Sequence, residues 1–251
     1  MTKLTIKPEG SISSKLKFKP SLTYGGILDF DGSLYLRINP ALSNYDPSLI
    51  GIMDIEFKLY LDDDLGYNCS VFILDSSPTT SYTCMYLLDS SFYVSQSLPH
   101  LSKHYSIENF SNQTLNVSIR KDEVYQQGPV SFKINGNEQS GTIGSAGVDS
   151  YINAIRIGNG MTRIGEGTTY LKNASIWDFK VTEVSTGDIV RYWKGYPGGN
   201  INEAWKDLGI YGDRDMEILT SGIYTPETRE LEGTGGESIF NLQNRLKISE
   251  I

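Results

Sequence analysis

The stretch Gly51-Ile-Met-Asp-Ile-Glu-Phe-Lys-Leu-Tyr-Leu-Asp62 decides the fold class. Met53, Ile55, Phe57, Leu59 and Leu61 occupy one phase, and Asp54, Glu56, Lys58, Tyr60 and Asp62 occupy the other. Successive side chains of an extended strand point to opposite faces, so a period of two sorts these residues into an apolar face and a polar face. A helix would mix the two sets around its circumference. The spacing therefore predicts a β-strand with a fully apolar inner side.

The same rhythm continues to either side. Runs at Cys69–Asp75, Tyr82–Asp89, Ser91–Ser95, Thr114–Arg120, Val130–Ile134, Ala154–Ile157 and Ala174–Val184 are separated by turn-rich segments. Asn135-Gly136 directly after Val130–Ile134 predicts a hairpin, because Asn-Gly accepts the positive φ angles of a tight reversal. Gly26–Ile38 reads as two short runs around Asp31-Gly32, a hairpin-like or bulge-like turn. Gly141–Gly147 reads as a flexible loop, and Gly158–Gly160 and Gly165–Gly167 flank another. About a dozen strands with no helical pattern between them predict an all-β antiparallel sandwich.

Composition supports this and removes other classes. The 251 residues include 25 Gly, 9 Pro, 16 Tyr and 9 Phe, a balance that favours strands and tight turns. A net charge of −8 disfavours nucleic acid and anionic membranes as partners. No apolar run approaches the roughly 18 residues that span a bilayer, so membrane insertion is not expected. Residues 1–20 alternate lysines with single apolar residues and build no signal-peptide core. Lys3, Lys7, Lys15, Lys17 and Lys19 stand against Glu9, as a basic arm or as the wet face of a strand. Cys69 and Cys84 make no disulfide framework and read as reduced core thiols on the two arms of a hairpin.

The rhythm breaks near residue 195. Gly195-Tyr-Pro-Gly-Gly-Asn200 interrupts the strands, Asn202–Leu208 reads as one or two helical turns, and Tyr224–Gly236 reads as an extended arm. Ile239, Leu242 and Leu246, with Phe240 beside them, have the spacing of a short terminal amphipathic helix, which would pack on the sandwich or dock on another chain. Three segments follow: an N-terminal strand or attachment segment at 1–21, the sandwich at 22–195, and a C-terminal extension and docking arm at 196–251.

The order of the elements carries a resemblance. Leu28–Ile38 (LDFDGSLYLRI) is similar to the opening strands of concanavalin A-like, laminin-G-like domains, and Asp54–Leu61 to the strand after them. Leu115–Lys121, then Val130–Gly136 closing on Ile-Asn-Gly, resemble a strand pair of that family. Ala154–Gly158 and Leu171–Val181 resemble its last two strands. The resemblance covers roughly residues 22–195 and implies a concanavalin A-like jelly roll. The stretch Arg191–Asp207 (RYWKGYPGGNINEAWKD) looks like one found in tailed-bacteriophage appendage proteins.

The frame offers few candidates for chemistry. Glycanases of the fold carry Glu-x-Asp-x-Glu on a central strand, whereas residues 54, 56 and 58 here are Asp, Glu and Lys. Asp54 and Glu56 therefore read as solvated charge, with Glu56 pairing to Lys58 or to a cross-strand neighbour. His100 and His104 sit in no recognisable catalytic pattern, and a Gly-x-Ser-x-Gly elbow is missing. Asp62 and Asp64, in the run Asp62-Asp63-Asp64, offer hard oxygen ligands for calcium, but consecutive aspartates do not converge on one ion; the expectation is an exposed acidic turn and no cofactor. Carbohydrate binding needs exposed aromatic planes beside polar groups; the candidates are Tyr82, Tyr86, Phe92, Tyr93, Tyr105, Trp193, Tyr196 and Trp205, while Trp177 reads as core.

The resemblance and the missing catalytic pattern together imply a non-enzymatic virion component of a tailed phage: a head fibre, decoration or tail appendage, assembled in the host cytoplasm. Its expected partners are other virion proteins, further copies of itself, and a host cell-surface glycan. The alternatives are a carbohydrate-binding module or lectin of a bacterial cell-surface system, and a degenerate glycanase.

Overall fold

The computed structural model describes residues 23–38, 45–62, 69–76, 82–88, 91–96, 101–106, 110–121, 129–145, 150–151, 155–163, 167–195, 203–220 and 228–232. In chain order the first strands are β1 (Thr23–Asp31), β2 (Leu34–Ile38), β3 (Met53–Leu61), β4 (Cys69–Asp75), β5 (Tyr82–Leu88) and β6 (Ser91–Gln96). Next come β7 (Leu101–Ser106), β8 (Gln113–Lys121), β9 (Ser131–Ile134), β10 (Asn137–Glu138), β11 (Thr142–Ser145) and β12 (Ser150–Tyr151). The last are β13 (Arg156–Ile157), β14 (Asn159–Arg163), β15 (Gly167–Tyr170), β16 (Lys172–Glu183), β17 (Ile189–Trp193), β18 (Met216–Thr220) and β19 (Thr228–Glu232). Among the described residues the helical content is one 3-10 turn, Pro47–Leu49, capped by the Asp46 side chain.

The strands form two antiparallel sheets, which establishes the β-sandwich. The first runs β10-β9-β8-β3-β16-β1-β19, with β17 also on β16, and the second runs β11-β7-β6-β5-β4-β13-β2-β18. β3 lies within the first sheet, and its side chains alternate between buried and partly buried along all nine residues. One buried cluster fills the space between the sheets. Phe57 and Phe179 of the first sheet stack at 5.2 Å, and Phe72 of the second meets both edge-on at 5.6 and 5.3 Å. This edge-to-face arrangement suits the quadrupole of aromatic rings.

A third sheet, β12-β14-β15, packs on the outer side of β4. β4 is consequently buried along its whole length, on both faces. Cys69 belongs to the inter-sheet core, and Cys84 to a separate outer cluster with Ile73, Tyr82 and Tyr86. The β4–β5 hairpin thus forms as expected, yet its two cysteines point to opposite faces and stay free thiols. Burial pushes the Cys69 thiol up to about 12, which makes it unreactive near neutrality.

The Asn135-Gly136 turn joins β9 to β10 with φ of 52° and 80°, the geometry its residues require. Asp31-Gly32 differs from a hairpin turn: β1 and β2 diverge into different sheets, with Gly32 at φ 92° and the Asp31 carboxylate accepting from the Ser33 amide at 2.8 Å. Thr142–Ser145, expected within a loop, is an edge strand on β7. Its bonds run through backbone groups, which a glycine-rich sequence does not advertise.

Two described stretches after residue 195 are part of the sandwich. β18 pairs with β2 and β19 pairs with β1, so each sheet receives a strand from the segment expected to be an arm. Residues 203–205 form a turn and not a helix. This region is held by Arg191, which is buried. Its Nε donates to Asp46 Oδ2 at 2.6 Å, and its Nη1 donates to Asp207 Oδ2 and Asp213 Oδ1, both at 2.7 Å. Asp207 Oδ1 in turn accepts from the amides of Tyr192 and Gly209. The terminal helix candidates Ile239, Phe240, Leu242 and Leu246, and the segment 1–21, lie outside the described residues.

Candidate functional site

The outer side of the first sheet carries a groove of about 540 Å³. Strand register places its floor. Tyr192, Lys180, Glu56, Ser118 and Lys133 stand side by side across β17, β16, β3, β8 and β9. In the neighbouring row Lys58 stands opposite Asn116, whose amide donates to Asn135 Oδ1 of the β9–β10 turn at 2.9 Å.

A β-bulge shapes the middle of the groove. Trp177 pairs with Lys58 and Lys180 with Glu56, so three steps along β16 match two along β3. Asp178 absorbs the extra residue at φ 52°. Its backbone N–H donates to the Lys194 carbonyl at 2.7 Å, and its carboxylate turns into the groove. There Asp178 Oδ2 meets Lys58 Nζ at 2.8 Å, and Oδ1 accepts from the Tyr192 hydroxyl at 3.0 Å. Glu56 Oε2 lies 2.6 Å from Lys180 Nζ. Beyond the groove end, Arg120 grips Asp54 through Nε and Nη2 at 2.8 and 2.7 Å. That bond raises the Arg120 pKa, with the Asp54 charge acting in the same direction. The polar face expected of β3 is therefore solvated charge, and the Glu56 partner is the cross-strand Lys180 while Lys58 takes Asp178.

The structure places the aromatic candidates elsewhere. Tyr105, Trp193, Trp205 and Phe92 lie in the inter-sheet core, and Tyr82 and Tyr86 in the outer cluster behind the second sheet. Tyr82 retains 6% of its surface and the other five less, so none of the six presents a plane to a sugar. Burial also pushes the Tyr105 hydroxyl pKa up, aided by the charge of Glu138. Their alternating spacing in sequence is that of core positions, and hydropathy does not say which side of a double layer an aromatic takes. Tyr93 is partly buried, stacking on Tyr86 at 5.0 Å with His104 on its other side. Trp177 is buried as expected, but with Ile27 and beside Tyr60 in a separate small cluster. Tyr196, His100 and Asp64 lie outside the described residues, Asp62 closes the β3 end, and no group of three or more metal-ligating side chains occurs among the described residues.

Sequence reasoning missed Asp178, Lys180 and Tyr192 as groove residues. The strand at 174–184 was legible, but the bulge that re-aims Asp178 was not, since Trp-Asp-Phe reads as plain alternation. Tyr192 and Trp193, adjacent in sequence, take opposite roles: one faces the groove and the other the core.

No family model matches the chain, and no curated protein matches it. Among solved structures it is similar to the mouse laminin alpha1 chain, domains LG4-5. The likeness has a TM-score of 0.46 and 10% identity, covering 82% of this chain and 50% of that one. This chain thus spans about half the length of that chain. At this identity the similarity concerns the fold alone, and the sandwich rests on the strand pairing described above.

Proposed function

We propose that the protein is a non-enzymatic adhesive domain that holds an oligosaccharide in the groove of the first sheet, and that it serves as an appendage of a tailed-phage particle. The groove carries the first part of this reading. It offers donors and acceptors in two rows, with one tyrosine at its side, the composition with which polar sugars are held. Its two carboxylates argue against bond cleavage. A glycosidase needs one carboxyl group to act as a proton donor, usually in apolar surroundings. Here Glu56 and Asp178 each sit within 2.8 Å of a lysine ammonium.

Ser118 points into the middle of the groove, so Ser118→Trp should fill it without touching the core. The purified chain is expected to bind on a glycan array with millimolar or better affinity, and Ser118→Trp and Tyr192→Ala should each weaken that binding at least about tenfold. Binding untouched by Ser118→Trp, or release of reducing sugar that Glu56→Gln abolishes, would overturn the reading.

The virion part rests on the likeness of Arg191–Asp207 to phage appendage sequences. Within this fold the same stretch supplies the Arg191 lock and the core residues Trp193 and Trp205. Mass spectrometry of purified particles should detect the chain, and light scattering should find a symmetric homo-oligomer. Particles without the chain would remove the virion assignment and leave the sugar-binding reading standing.

A further inference from the structure

The outer side of the second sheet holds two arginines that its own residues do not neutralise. Arg37 on β2 and Arg156 on β13 are direct register partners, with their side chains on the same face. Like charges placed opposite each other across a ladder are destabilising. Both side chains are partly buried, and the Nε of each is fully buried and donates to nothing among the described residues. No ion pair links either arginine to a carboxylate among the described residues. Glu217, the register partner of Arg37 on β18, is exposed and stays unpaired with it.

Aromatic rings complete the corner. The Arg156 guanidinium lies 5.1 Å from the centre of the Tyr35 ring, and Tyr170 of the third sheet leans over Tyr35 at 5.9 Å. Burial lowers the Arg156 pKa, with the Arg37 charge adding to it and Tyr35 and Tyr170 acting against it. Two half-buried guanidinium groups side by side are an unfavourable arrangement in the isolated chain, and an oxyanion held across their outer Nη nitrogens would offset the opposition of the two charges.

We propose that Arg37 and Arg156 form a binding site for an oxyanion, a carboxylate, sulfate or phosphate group carried by a small ligand, with Tyr35 and Tyr170 as its aromatic wall. The site lies on the opposite outer face from the groove and is independent of it.

Calorimetric titration of the full chain with sodium sulfate, inorganic phosphate and glucuronate, each at ionic strength matched with sodium chloride, tests the proposal and separates tetrahedral from planar anions. The expected result is saturable one-site binding of at least one of the three, weakened at least about tenfold by Arg156→Met. Removing one of two opposed charges should also raise Tm in chloride buffer while abolishing the further rise that the anion gives the natural chain. Arg37→Gln provides a second variant read the same way, and Ser118→Trp should leave the anion response unchanged. A response no greater than that to chloride, or affinity retained in both arginine variants, would overturn the proposal.

Discussion

Arg191 and the Arg37–Arg156 pair put the same side chain into opposite charge settings. Arg191 is one buried cation surrounded by three aspartates, whereas Arg37 and Arg156 are two adjacent cations with no carboxylate partner among the described residues. In the first case all three guanidinium nitrogens donate within the chain, and the arginine joins segments around residues 46, 191, 207 and 213 into one body. In the second, the fold leaves donors unspent at a partly open corner. Saturation goes with architecture, and deficit goes with a place for something from outside.

The largest expected effect tests the saturated side. Arg191→Met leaves Asp46 and Asp207 buried without a cation, and breaking such a pair costs about 3–5 kcal/mol. Urea unfolding should show this loss, and a change below about 1 kcal/mol would place Arg191 among ordinary surface pairs. The same network has an acid signature. Burial by itself would raise the Asp46 pKa, but the hydrogen bonds from Arg191 and Ser48 and the Arg191 charge outweigh it and hold the group below its ordinary 3.8. A depressed carboxylate contributes stability that is present above the unfolded-state value and is lost as pH falls through the folded one. Thermal melts should therefore lose stability below about pH 4, and Arg191→Met should flatten that part of the acid limb.

The next effect is steric. Gly195 adopts φ 71°, and a Cβ there would lie 2.9 Å from both the Trp177 Cα and the Trp205 ring. Gly195→Ala should cost about 2–3 kcal/mol by chemical denaturation, from left-handed strain and overpacking together. Gly136→Ala, at φ 80° in open space, should cost about 1 kcal/mol, since only the conformational part remains.

The smallest effect belongs to the groove. Lys180→Ala removes an ion pair whose partners are both substantially solvent-exposed, so the stability change should stay within about 1 kcal/mol. A larger loss in a denaturant titration would mean that the groove pairs hold the fold together, as Arg191 does.

Legibility in the sequence followed the range of each interaction. The β3 face pattern, the Asn135-Gly136 hairpin and the β4–β5 hairpin could be read because each depends on neighbouring residues. The Arg191 lock could not, because Asp46 lies 145 residues away and no local pattern links the two. The aromatics at 82, 86 and 105 were legible as strand residues but not as interior ones. β4 and its neighbours are covered by a third sheet whose strands include Gly160 and Gly167 and carry little hydrophobic signal. The strand pair at Arg37 and Arg156 was similarly hidden, since their opposition exists only once β13 slots between β2 and β4.

The placement of β18 and β19 has a consequence for how the molecule comes to be. Until those late-synthesised strands arrive, β2 and β1 present open backbone edges, a ready template for another chain. The two closures join residues roughly 180 and 200 positions apart, the kind of contact that makes folding slow. A nascent copy emerging from the ribosome must therefore keep both seams shielded from its siblings, and its yield should improve with slower translation or lower temperature.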